Sequence, residues 1–223
     1  MAQNLLDSDA FGGSNGDALT TYNANWVLLD SASVNPLEIR GTPGVGADSN
    51  FGGELRNGQT WTNDQWAELK IDGTTVADLR FLVLVRATAG SSSYTGYAGG
   101  VHRDETGGTY EIYKVSNNTF TQLQTSAVTY AANDVVNFEA VGTTLNLVVN
   151  SSLAATVTDA TYATGSPAMI LGDNSTNRLA GTWKAGSVGS SETITMDKWS
   201  PRMERVVRGP DPRIASGIIA VKN

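Results

Sequence analysis

The sequence predicts an all-β protein, an antiparallel two-sheet jelly-roll sandwich with an extended C-terminal arm. Three observations lead there. Short apolar runs recur along the 223 residues, clusters of Gly, Asn, Asp and Ser separate them, and no stretch sustains a helical period. The composition agrees, with 24 Gly and 17% charged residues against about a quarter in an ordinary globular chain. There is no cysteine, so disulfides, thiolate metal sites and cysteine nucleophiles are excluded, and stability must come from packing.

The elements follow in order. "NWVLLD" (25–30) and "LEIRG" (37–41) are the first strand-like runs. In "QWAELKID" (65–72), Ala67, Leu69 and Ile71 alternate with Trp66, Glu68 and Lys70, the pattern of a half-buried strand. "LRFLVLVRA" (79–87) is apolar at every position from 81 to 85, which places it in mid-sheet with cover on both faces. Tyr97–Arg103 and "YEIYKV" (110–115) form a hairpin through "DETGG", where Gly107 and Gly108 supply turn geometry and Asp104 and Glu105 sit at a solvated tip. "VVNFEAVG" (135–142), "TLNLVVN" (144–150) and "LAATVTD" (153–159) read as a three-strand meander turning at "GTT" and "NSS". "AMILGD" (168–173) and "ETITMDKW" (192–199) complete the series. The division expected is one domain over 1–200 and an arm over 201–223.

Charge limits the partners. Residues 1–200 carry 10 Lys+Arg against 20 Asp+Glu, so the body repels phosphate, and nucleic acid is not expected as a partner. No apolar run is long enough to span a bilayer, and "MAQNLLDSDAFGG" lacks the basic and apolar regions of a secretory signal. The arm is basic, with Arg202, Arg205, Arg208, Arg213 and Lys222 against Glu204 and Asp211.

The order of landmarks "DSDAF", "GDALTTYNANWVLL", "LEIRG", "DQWAELKI", "LVRA", "GYAGGV", "YEIYKV", "FTQLQT", "DVVNFEAVGTTLNLVVNSSLAATVTD", "TYATGSPAMIL" and "ITMDKW" resembles the concanavalin A-like lectin/glucanase superfamily. The likeness is greatest to laminin G-like modules of bacterial and phage proteins and covers about residues 4–199. These landmarks mark strand edges and core positions, so the resemblance implies a fold more than a chemistry. Its members include sugar binders, glycoside hydrolases, polysaccharide lyases and adhesive or structural domains. The paired-acid E-x-D-x-x-E strand of the retaining glucanases is absent here. "ELR" (54–56) resembles a fragment of an alginate-lyase motif, without the other lyase motifs. No catalytic residue is assigned.

Candidate binding residues are aromatic side chains able to stack on sugar rings, with polar neighbours for hydroxyls: Tyr94, Tyr97, His102, Tyr110 and Trp183, with Asp173 and Asn174. Trp26, Trp61, Trp66 and Trp199 are read instead as core or edge anchors. His102 is the only histidine, so no multi-histidine metal site exists; Asp173 suits calcium, but too few further ligands can be named. No cofactor is expected. In the arm, Arg202, Arg205, Arg208 and Arg213 would meet acidic surface while Ile218 and Ile219 of "GIIAV" add to a neighbouring subunit's sheet edge or groove. The leading expectation is therefore a non-enzymatic adhesive or structural virion protein. It would be a homo-oligomer bound to capsid or tail proteins, with a surface glycan as a further partner. A secreted or cell-surface carbohydrate-binding module and a polysaccharide-cleaving enzyme are the alternatives.

Overall fold

The computed structural model describes residues 2–189 except 33, 42–43, 48–50, 73–78, 105–107 and 173–178; the side chains of Leu79, Arg103 and Asp104 are also outside the description. The expected strand at 192–199 and the whole arm, with Arg202, Arg205, Arg208, Arg213, Ile218 and Ile219, lie outside the described residues.

The strands are β1 (Gln3–Asp9), β2 (Trp26–Leu28), β3 (Leu37–Ile39), β4 (Val45–Ala47), β5 (Phe51–Arg56), β6 (Gln65–Ile71), β7 (Leu79–Thr88), β8 (Thr95–Asp104), β9 (Thr109–Ser116), β10 (Thr119–Thr129), β11 (Val135–Val141), β12 (Thr144–Val149), β13 (Ser152–Thr158), β14 (Ser166–Gly172) and β15 (Ala180–Val188), with one helical turn, α1 (Leu19–Tyr22). They form two antiparallel sheets, the jelly-roll sandwich expected. The first has the order β13-β12-β11-β6-β15-β4-β3, with β1 also paired to β15; the second runs β10-β9-β8-β7-β14-β5-β2.

Alternation explains which residues meet between the sheets. Ala67, Leu69 and Ile71 of β6 and Val136, Phe138 and Ala140 of β11 face Phe81, Val83 and Val85 of β7, and all are buried in one cluster. Burying each large apolar side chain contributes about 1.5–3 kcal/mol. The meander forms with the expected turns, Asn150 and Ser151 both taking positive φ between β12 and β13. On β7 the other parity, Leu82 and Leu84, packs into a second cluster with Ala98, Tyr113, Val115, Ala168 and Ile170, covered by Leu29, Val34 and Tyr94. This second cluster is why β7 is apolar on both faces.

A polar cluster enters the interior beside Trp26. Trp26 is stacked edge-on with Trp183 at 4.8 Å, and its Nε1 donates to Asp9 at 2.9 Å. The Arg56 guanidinium lies 4.8 Å from the Trp26 ring and donates to Asp7 at 2.7 Å. The outermost strands at the β10–β13 side, "TFTQLQTSAVT" and "SLAATVT", carry no charged residue and no proline, and Leu153 is 60% exposed there.

A candidate ligand-binding hollow on the outer face of the second sheet

The β7–β8–β9 register sets this face. Arg80 pairs with His102, Leu82 with Gly100 and Leu84 with Ala98, while Gly100 pairs with Glu111 and Ala98 with Tyr113. Side chains at these positions point away from the core. After β9, Asn117 and Asn118 both adopt positive φ (47° and 63°), the conformation of a tight hairpin turn, and the chain returns as β10. That return lays Phe120 on His102, with ring centroids 4.4 Å apart and planes 21° from parallel. Tyr113 meets both edge-on, at 5.1 and 5.8 Å.

Facing this stack, the Arg80 guanidinium lies 4.2 Å over the Phe51 ring. Between them is a hollow of about 420 Å³ lined by Val34, Phe51, Arg80, Tyr94, His102, Asn118, Thr119 and Phe120. Its rim is fixed by Asn118, whose Oδ1 accepts the Tyr94 N–H at 2.8 Å and whose Nδ2 donates to Asp30 Oδ2 at 2.7 Å. Asp30 is fully buried and accepts the Ala32 N–H through its other oxygen. Burial pushes the Tyr94 hydroxyl up to about 12, with Arg80 opposing and Asp30 adding to the shift, so this side chain is neutral at physiological pH. Burial also raises the Glu111 carboxyl on the same face.

Of the seven binding residues read from the sequence, the structure brings Tyr94 and His102 together here. Tyr97, Tyr110 and Trp183 are elsewhere, each 0% exposed in the core between the sheets. Parity is the reason: 97 and 110 have the inward register of β8 and β9. The Tyr97 hydroxyl donates to Asp159 at 2.6 Å and that of Tyr110 to Asp134 at 2.6 Å, and burial raises the pKa of both. Asp173 and Asn174 lie outside the described residues. Phe51, Arg80, Tyr113, Asn118 and Phe120 went unrecognised in the sequence. The available signal was the "SNNT" turn after "YEIYKV", which predicts a hairpin and hence Phe120 beside the 102–113 face.

Among the described residues, no group of three or more His, Asp or Glu is placed to hold a metal. Glu54 of "ELR" points between the sheets and is 0% exposed, with its carboxyl beside the Leu37 backbone. Burial pushes its carboxyl up to about 8, against a smaller opposing effect of the Leu37 backbone.

No family model and no curated protein matches the chain. Solved structures do. The carbohydrate-binding module CBM66 from Bacillus subtilis matches with a TM-score of 0.51 and 13% identity over 74% of this chain and 93% of that one. The exoplasmic/lumenal domain of VIP36 in its Ca²⁺/Man3GlcNAc-bound form matches with a TM-score of 0.53 and 10% identity, over 78% and 89%. Its Ca²⁺/Man2-bound form gives 0.52 and 12%, over 82% and 88%. At such identities the likeness concerns architecture, and on it the chain has the concanavalin A-like jelly-roll fold of lectins and glucanases.

Proposed function

We infer that the chain is a non-catalytic carbohydrate-binding module that takes its ligand in the hollow between β7, β8 and the β9–β10 turn. The observation that carries this reading is the His102–Phe120 stack facing Arg80 across a hollow of about 420 Å³. Aromatic planes bury the apolar C–H face of a sugar ring, while guanidinium, imidazole and amide groups answer its hydroxyls. Supporting it, the similar folds include one named for carbohydrate binding and one solved with mannose-containing glycans. They favour this reading over a virion scaffold, whose fastening arm lies outside the described residues.

The test is a glycan array followed by calorimetry with the best-bound sugar. Phe120→Ala and His102→Ala each weaken binding about tenfold, the amount one lost aromatic contact represents. Tyr97→Phe, a change inside the core, leaves the affinity of the folded protein unaltered. Binding that survives both hollow substitutions at full strength would exclude this site.

A further inference from the structure

A second cavity among the described residues lies where β7 meets the loop before β6. It is a groove of about 830 Å³ lined by Trp61, Thr62, Asn63, Asp64 and Arg86, with Gly142, Ala163 and the end of β15 closing it. At its base Arg86 has φ 52°, a conformation uncommon for a residue with a side chain. The strand pairing shifts on both sides of it, between Val85 and Thr88 toward β8 and between Ser166 and Ala168 toward β14. Gly165 makes the bulge possible: at its φ of 140°, a Cβ would stand 2.4 Å from the Arg86 carbonyl carbon. Such strain persists where the surroundings over-determine it, and it gathers at functional positions.

The bulge aims a nearly buried guanidinium at the groove. Its Nε donates to the Asn63 carbonyl at 2.8 Å, Nη1 to the Tyr162 carbonyl at 3.1 Å and Nη2 to Asp64 Oδ1 at 3.5 Å. A guanidinium has five N–H groups, so these three bonds leave two donors. Asp64 accepts the Gly142 N–H at 2.7 Å, yet its side chain remains 38% exposed. Trp61 forms one wall, its ring held by Nε1 donating to the Arg56 carbonyl at 3.0 Å.

We propose that this groove is a second ligand site, for an uncharged sugar residue, using Trp61 as the stacking platform and the adjacent Arg86 and Asp64 for a pair of neighbouring hydroxyls. A donor beside an acceptor matches a vicinal diol, one oxygen accepting from the guanidinium and the next hydroxyl donating to the carboxylate. An acidic sugar is disfavoured, because its carboxylate would meet Asp64 as well as Arg86. The inference rests on the reading of the chain as a sugar binder, but on different residues.

The test uses the full chain, labelled with ¹⁵N, and follows the Trp61 indole N–H by NMR, assigned through Trp61→Phe. The probes are cellohexaose, laminarihexaose, mannohexaose and a fructan, with hexagalacturonate as the acidic control. At least one neutral probe shifts the Trp61 resonance, Trp61→Ala weakens that binding about tenfold, and Asp64→Asn, which keeps an oxygen for the Gly142 N–H, weakens it about threefold. In Phe120→Ala the Trp61 shift persists, which separates this site from the first hollow. No shift with any neutral probe, a larger response to hexagalacturonate, or wild-type affinity in Asp64→Asn and a folded Trp61→Ala overturns the proposal. Loss of the Trp61 response in Phe120→Ala overturns its independence.

Discussion

Glu54 is the residue whose environment conflicts most with its chemistry. A carboxyl in an apolar interior, with only the Leu37 backbone to offset its burial, holds its proton, and its folded pKa of about 8 stands above the ordinary 4.5. Between those values the folded state binds more protons than the unfolded state, so stability falls as pH rises from about 4.5 to about 8 and then levels. Melting temperatures at pH 5, 7 and 9 should show that decline, and Glu54→Gln should flatten it; an unchanged slope in the variant would assign the effect elsewhere. Tyr110 presents the opposite case, a buried hydroxyl with a full partner. Tyr110→Phe should cost about 1–2 kcal/mol in urea unfolding, because Asp134 keeps the Asn150 amide and the Ala131 N–H. At this scale the sequence discloses aromatic and polar types but not their direction. Tyr94 and His102 reach the hollow while Tyr97 and Tyr110 turn inward, and a one-residue change of register would exchange the two outcomes.

Strands with a clean pattern were the legible elements. β6, β11 and β12 alternate, and β7 is apolar on both faces because the loop carrying Leu29 and Val34 covers its outer side. β5, β10 and β15 gave no such signal, for identifiable reasons. "FGGELR" is part glycine and holds a buried Glu and Arg, "TFTQLQTSAVT" is a largely exposed outer strand, and "AGTWKAGSV" is made mostly of small residues. Small residues there serve close packing that only a three-dimensional neighbour explains. Gly99 of β8 is the same device at another position, since a Cβ would lie 2.6 Å from the Phe138 ring across the core. Gly99→Ala is therefore expected to destabilise by about 1–3 kcal/mol, and Phe138→Leu in the same chain should recover part of that loss. A double-mutant cycle in guanidinium measures it; additivity would mean that the two positions do not press on one another.

Over the whole molecule, strands distant in sequence are neighbours: β1 pairs with β15, β5 with β14 and β6 with both β11 and β15. The core joins both sheets, so tryptophan fluorescence and far-ultraviolet circular dichroism should report one coincident unfolding transition. Refolding should be slow, in milliseconds to seconds, because loop closure precedes most contacts. The fold class was legible because it depends on spacing and turns, which are local. The hollow was not, because it joins residues from 34 to 120 that only the register brings together.

The side where β10 and β13 end the sheets has a consequence for handling. Uncharged strands that end the sheets among the described residues invite a further strand, and neither strand carries a lysine or proline to refuse it. Concentrated or warmed samples should consequently self-associate along this rim before they unfold. Leu153→Lys, placing a cation on the most exposed apolar side chain of that border, should raise the onset of turbidity on heating while leaving the melting temperature within about 1–2 °C.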